Sequence, residues 1–402
     1  MNQDPSLVQP HDASPRFTRR MGLLFLLTGI FLSNFVARIL LSPLLVLVEQ
    51  DLHIGHTSAA SLFLVISSGV CVGLLVSGYV ASRTTHKQTV VLSATLLGVA
   101  LFASSMSTSL GFMRLCLFLV GLPAGLYFPS GIAIITGHIR SADWGKALAV
   151  HELAPNLGFM AAPILVDVLS RLLSWRQILG SWGVFTLFVG FLFAAYGKGG
   201  TAPGTAPNYC VLHRITTNKR FWIVTAAFGL SVGGSLGVYA LTPLYLVTEK
   251  GMELESANAL VALSRVPGIF MALVAGWLVD FMGVKKSIPV FLLFTGASTI
   301  FVGKGGEGWI SWAVFIQAVS SVCFFPAGFA ALARIFSHGE RSLAIAMSVP
   351  IAILVGAGAI PTLLGYLAER GFFSLGFTII GVALIFAASC FMLLRDPLDD
   401  GS

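Results

Sequence analysis

Four ionisable residues stand in otherwise apolar sequence, and their types point to two kinds of chemistry. Arg38 lies within LSNFVARILLSPLLVLV (32–48) and Arg265 within LSRVPGIF (263–270). An arginine stays charged at any biological pH, and its planar fork can grip a carboxylate through two parallel hydrogen bonds. Two such groups at one depth would form an anion clamp. Glu152 lies in AVHELAPNLG (149–158), beside His151. A carboxylate held away from water can take up a proton, and histidine titrates near neutrality. The pair is therefore a candidate for proton coupling, although successive helical residues point about 100° apart and need not share a face. Other readings stay open for both. The arginines could pair with Glu152 or with carbonyls freed at Pro43 and Pro267, and Glu152 could hold a fixed bridge to Arg334 or Arg341.

The elements that must position these groups are membrane spans. The chain has 402 residues, 56% hydrophobic and 10% charged, with a mean hydropathy of +0.89. A soluble domain carries about 25% charged residues, so this chain lacks the charge to wet its surface. A spanning helix needs about 20 apolar residues. Twelve runs qualify: 21–48, 57–81, 88–107, 110–137, 146–170, 178–197, 221–247, 256–279, 287–303, 309–334, 342–367 and 374–394. The expected organisation is a disordered tail (1–16), a six-helix bundle (17–197), a Gly/Pro-rich linker (198–220), a second six-helix bundle (221–395) and a short tail (396–402). The first twenty residues lack a signal-peptide cleavage pattern.

Lys and Arg in the short loops set the orientation. With the N-terminus inside, the inner segments hold sixteen, among them Arg16, Arg19, Arg20, Arg83, Lys285, Lys286 and Arg395, and the outer ones five. The expected topology has both termini in the cytoplasm, in a cell inner membrane. The net charge of +7 is then mostly this sidedness, and nucleic acid is not an expected partner. The five cysteines are scattered and form no CxxC pair. No GxxxxGK[ST] loop occurs, so ATP drive is not expected. No catalytic grouping, metal site or cofactor is expected either, and the protein is read as a monomer.

The halves repeat. YFPSGIA (127–133) returns as FFPAGFA (324–330), and LSP (41–43) as LTP (241–243). Gly78, Gly158 and Pro163 match Gly276, Gly356 and Pro361 at an offset of 198. A shared offset across several helices implies two structural copies related by a pseudo-two-fold axis along the membrane normal, with a cavity between them.

GYVASRTTHK (78–87) and GWLVDFMGVKK (276–286) resemble the G-x-x-x-D-[RK]-x-G-[RK]-[RK] loop of the major facilitator superfamily. That resemblance implies an all-α membrane fold of twelve helices. It also implies an alternating-access transporter whose gating loops contain Gly78, Arg83, Gly276 and Asp280. The first copy has Ser82 for the acid and Thr85 for the glycine, which implies a weaker latch in the N-terminal half. In this fold the first and eighth helices border the cavity, so Arg38 and Arg265 are the expected substrate ligands. Asn34, Tyr239 and Gln317 fall near the same depth. An arginine in the eighth helix opposite a cation in the first is similar to the family's monocarboxylate carriers, although Val261 stands where they carry an acid. The expected function is transport of a small organic anion, a carboxylate by preference, coupled to H+ or Na+. The alternative is a proton-driven exporter of amphipathic compounds, because LAPNLGFMAAP (153–163) resembles the G-P-x-x-G-G element of such exporters. A non-transporting membrane sensor would need a folded soluble domain or a long signalling tail, whereas the longest polar segments here run to about twenty residues.

Overall fold

In the computed structural model, residues 21–140, 143–201, 203, 209–306, 308–337 and 340–393 are described. Both expected tails, with Arg16, Arg19, Arg20 and Arg395, lie outside them. Among the described residues, twelve helices are long and apolar enough to cross a membrane. They are α1 (Met21–Leu52), α2 (His56–Arg83), α3 (His86–Ser105), α4 (Leu110–His138), α5 (Trp144–Ser170), α6 (Trp175–Tyr196), α7 (Lys219–Thr248), α8 (Leu254–Met282), α9 (Val284–Lys304), α10 (Ile310–Ile335), α11 (Leu343–Glu369) and α12 (Phe373–Met392). The short ninth run becomes a full span, because a helix can continue through Lys285 and Lys286 at its end. No strand occurs among the described residues. This suits a bilayer, where each backbone group must be paired within its own segment or barrel.

The two halves follow one packing plan. In the first, α3 packs on α6 and α1 on α5; in the second, α9 packs on α12 and α7 on α11. Small residues let helices approach: a Cβ on Gly69 or Gly73 of α2 would stand 2.3 Å and 2.0 Å from the α4 carbonyls of Phe118 and Leu122. Such backbone contact stabilises association in lipid, where apolar burial alone offers little. Between the halves, α2 meets α11, α5 meets α8, and α1 meets α7.

The 198–220 segment is not all extended linker, since Tyr209–Thr217 forms a short helix. It packs beside α7 and α11, and its Ile215 is buried. The end of the bundle carrying it is termed the linker end below.

The two loop copies are built differently. Gly283 adopts φ +80°, a conformation open to glycine and strained for other residues. In the first copy α2 ends on the extended Thr84, and Thr85 caps α3 through a reciprocal box with Gln88. Thr85 therefore fits where the family pattern has glycine. Ser82 sends its hydroxyl back to the Tyr79 carbonyl (2.8 Å) rather than capping a neighbouring helix. Arg83 lies over the Tyr79 ring, Asp280 is exposed, Gly78 is half-buried, and Gly276 has open space around its Cα.

Candidate functional site

Three prolines decide where the charges stand. Pro43, Pro155 and Pro267 each lack the N–H that would bond four residues back, and helices kink or break at that point. Here α1 breaks at Leu40, α5 at Glu152 and α8 at Arg265. Each candidate charge thus sits at, or within two residues of, a proline-induced break.

A cavity of about 440 Å³ separates the halves. Its N-half wall includes Phe31, Asn34, Phe35, Arg38, Leu74, Phe128, Glu152, Asn156 and Phe159. The C-half wall includes Phe228, Ser235, Phe325, Phe329 and Val349. Leu74, Phe128, Glu152 and Phe329 belong to the linker-end portions of their helices, so the cavity runs from the level of Arg38 towards that end. Cross-half contacts close the other direction. Tyr239 Oη donates to the Phe159 carbonyl (3.2 Å), and Ser42 Oγ donates to the Tyr239 carbonyl (3.0 Å). Beyond them the Thr57 N–H donates to Glu369 (3.0 Å), and Arg171 pairs with Glu255.

The two arginines differ in their surroundings. Arg265 is 6% exposed and does not line the cavity. Its guanidinium lies 4.5 Å from the Phe159 ring centre and 5.0 Å from that of Tyr239. It also donates to the Ser235 carbonyl (3.3 Å) and Ser321 Oγ (3.4 Å). A desolvated cation–π contact contributes about 2 kcal/mol, while an arginine at mid-membrane costs about 2.5–3.5 kcal/mol on insertion scales. Two rings and two long hydrogen bonds therefore offset most of its burial. Arg38 has one ring, Phe35 at 5.0 Å, and no ion pair among the described residues. The Nε of each arginine is buried without a hydrogen-bond partner, but the Arg38 guanidinium makes no hydrogen bond among the described residues and lines the cavity. Arg38 is the under-compensated charge. Neither arginine pairs with Glu152.

The other expected ligands divide. Asn34 lines the cavity while its Nδ2 donates to the Ala124 carbonyl (3.2 Å). Tyr239 is buried with its hydroxyl committed to Phe159. Gln317 lies outside the cavity, with Nε2 donating to Gly234 O (2.5 Å) in the π-helical turn Gly233–Gly237.

Glu152 and His151 do come together. Although adjacent on the chain at the break, the two side chains meet, with Glu152 Oε1 3.5 Å from His151 Nδ1. Glu152 is half exposed and lines the cavity, whereas His151 is fully buried against Phe31, ring centres 4.5 Å apart. Arg341 donates instead to the Phe336 carbonyl. Tyr127 Oη donates its one proton to the Leu27 carbonyl (2.7 Å), so at 3.0 Å from His151 Nε2 it must accept. The hydrogen-bond network thus assigns the neutral ring its proton on Nε2 and leaves a bare Nδ1 towards Glu152. Tyr127, Phe31 and Phe159 were not singled out from the sequence. The substitution of Phe324 for Tyr127 in the repeated motif was the available signal for the first.

Two matches to the description "Major Facilitator Superfamily" span residues 26–302 and 255–401. The chain belongs to this family of membrane transporters. A protein named "Probable sulfoacetate transporter SauU" from Cupriavidus necator is 23% identical over 95% of this chain and 94% of its own. The 4-hydroxybenzoate transporter PcaK of Pseudomonas aeruginosa is 24% identical over 63% and 65%. The "Putative niacin/nicotinamide transporter NiaP" of Bacillus subtilis is 22% identical over 82% and 84%. Among solved structures, an occupied, inward-facing bacterial homologue of the lysosomal transporter Spinster superposes with a TM-score of 0.82. Its identity is 13%, over 95% of this chain and 99% of that one. This last likeness concerns the fold.

Proposed function

We propose that the protein is a secondary transporter of a small organic anion, a carboxylate by preference, and that its transport is coupled to protons. The observation that carries this reading is Arg38, a guanidinium without an ion pair in the wall of a mostly apolar cavity. A cation facing a mostly apolar cavity without a partner is costly, and a bound carboxylate would supply the partner. Asn34, one turn away, adds a polar contact. Arg265 acts from behind Phe159, and the two arginines do not act as symmetrical jaws. Two relatives named for sulfoacetate and 4-hydroxybenzoate support the anion class.

Proton coupling rests on the dyad. A proton arriving at Glu152 can be shared with His151 Nδ1, because Tyr127 keeps the other ring nitrogen occupied. Positive-inside sidedness puts the linker end in the cytoplasm, so the cavity would face inward and rocking of the halves would expose it outside. The apolar lining favours a second reading, a proton-driven exporter of amphipathic compounds. Thermal-shift measurements against carboxylates, inorganic anions, amino acids, sugars and hydrophobic cations separate the two. Anion stabilisation that disappears in folded Arg38→Ala is the expected result. Stabilisation only by cations or neutral amphiphiles, unchanged in Arg38→Ala and Arg265→Ala, would promote the exporter.

A further inference from the structure

The charge and shape of the cavity narrow the class of anion. Among the described residues Arg38 alone brings a cation to the lining, because Arg265 is shielded by Phe159 and Tyr239. At the linker end of the same chamber stands Glu152. A second carboxylate on the ligand would therefore meet no second cation, only apolar wall, the neutral Asn34, Asn156 and Ser235, or the like charge of Glu152, and none of these offsets its desolvation as a guanidinium would. Between Arg38 and Glu152 the wall is built from phenylalanines of both halves: Phe35 and Phe128 on one side, Phe228, Phe325 and Phe329 on the other. Rings prefer offset-stacked or edge-to-face partners, so this lining favours a planar aromatic body over an aliphatic one of equal area. The Arg38 guanidinium already lies over the Phe35 ring, and a carboxylate coplanar with its own arene can meet the fork beside that ring.

We propose that the cavity selects an aryl monocarboxylate: one carboxylate on Arg38, and an aromatic ring among the phenylalanines of both halves. The proposal rests on the organic-anion reading above and adds valence and ring character to it.

The test is isothermal titration of the purified full-length protein near neutral pH. The probes are benzoate, 2-naphthoate, cyclohexanecarboxylate, hexanoate, succinate, terephthalate and tetraphenylphosphonium. The expected order puts the aryl monocarboxylates about tenfold tighter than cyclohexanecarboxylate and hexanoate, the value of about one aromatic pair. Succinate and terephthalate should be weaker still. Equal or tighter binding of the saturated acids overturns the aromatic element, and a preference for succinate or terephthalate overturns the single charge. In both cases the anion reading stands. Binding of tetraphenylphosphonium alone overturns both. Arg38→Gln should weaken benzoate binding about a hundredfold. Should that variant fail to fold, Phe329→Leu decides, with benzoate expected to weaken several-fold and cyclohexanecarboxylate much less. An equal loss for both acids would overturn ring recognition.

Discussion

The two halves share a scaffold and differ in chemistry. At an offset of 198, Gly158 and Pro163 in α5 return as Gly356 and Pro361 in α11. At the same offset His151 and Glu152 become Val349 and Pro350, and Arg265 corresponds to Ser67. Tyr127 becomes Phe324 at 197, and Arg38 becomes Val238 at 200. Gly158, Pro163 and Pro43 (Pro243 at 200) are kept, while the residues that hold charge or protons appear once, and so do Pro155 and Pro267, the prolines beside two of them. Burying a polar group costs free energy unless it is satisfied, so a duplicated scaffold retains such groups only where a partner stands ready. His151 has Tyr127, Arg265 has two rings, and Arg38 has the cavity.

The sharpest way to break this contrast is to neutralise each arginine in turn. Arg38→Gln should weaken anion binding about a hundredfold, the equivalent of two charge-assisted hydrogen bonds. Arg265→Gln should change binding less than about threefold but lower the melting temperature, because it leaves two facing rings without their cation. Equal losses of binding in the two variants would restore a symmetrical clamp.

The twelve spans, the repeat and the identity of the charged residues were legible because they depend on local composition and period. The partners were not. Arg265 is capped by Phe159, which lies 106 positions away and in the other half. Tyr239 and Gln317 fall at the right depth, but their polar atoms are spent on the carbonyls of Phe159 and Gly234. Depth can be read from sequence, whereas the direction of a side chain depends on packing against other helices. The dyad fell between these cases. Adjacent helical residues point about 100° apart, and only the side-chain conformations bring these two within 3.5 Å.

Proton coupling gives the next largest effect. Glu152→Gln should remove uptake against a concentration gradient, about tenfold or more, while exchange of labelled for unlabelled substrate persists. Reconstituted vesicles with and without a pH gradient check this. Loss of both activities would make Glu152 a structural or substrate contact. Tyr127→Phe imitates the C-half, where Phe324 has no hydroxyl. It frees His151 Nε2 and lets the neutral proton move to Nδ1, the position that must stay open towards Glu152. Gradient-driven uptake should fall about fivefold, the worth of roughly one hydrogen bond. Substrate affinity should hold, and the pH profile of uptake should shift. An unchanged profile would remove Tyr127 from the proton path.

The smallest effect asks whether the linker helix belongs to the second half. Arg214 donates to Glu340 (2.7 Å), which also accepts from Ser337 Oγ (2.8 Å). The Ser337 hydroxyl first, and Arg214 second, hold the Glu340 carboxyl below its ordinary value. A carboxyl lowered by folding stabilises the native state fully above its ordinary pKa, and that contribution disappears as pH falls through the lowered value. Arg214→Gln should therefore melt slightly below the wild type at neutral pH. The two should converge in strong acid, and high salt should shrink the neutral difference because the Arg214 side of the pair is exposed. A difference that persists unchanged through the acid range would mean that Arg214 acts through the packing of its stem. Either result concerns α10 and α11 alone, so substrate affinity should not move. If affinity did fall, the linker helix would have to influence the N-half as well, and the two halves would be less independent than their separate chemistries suggest.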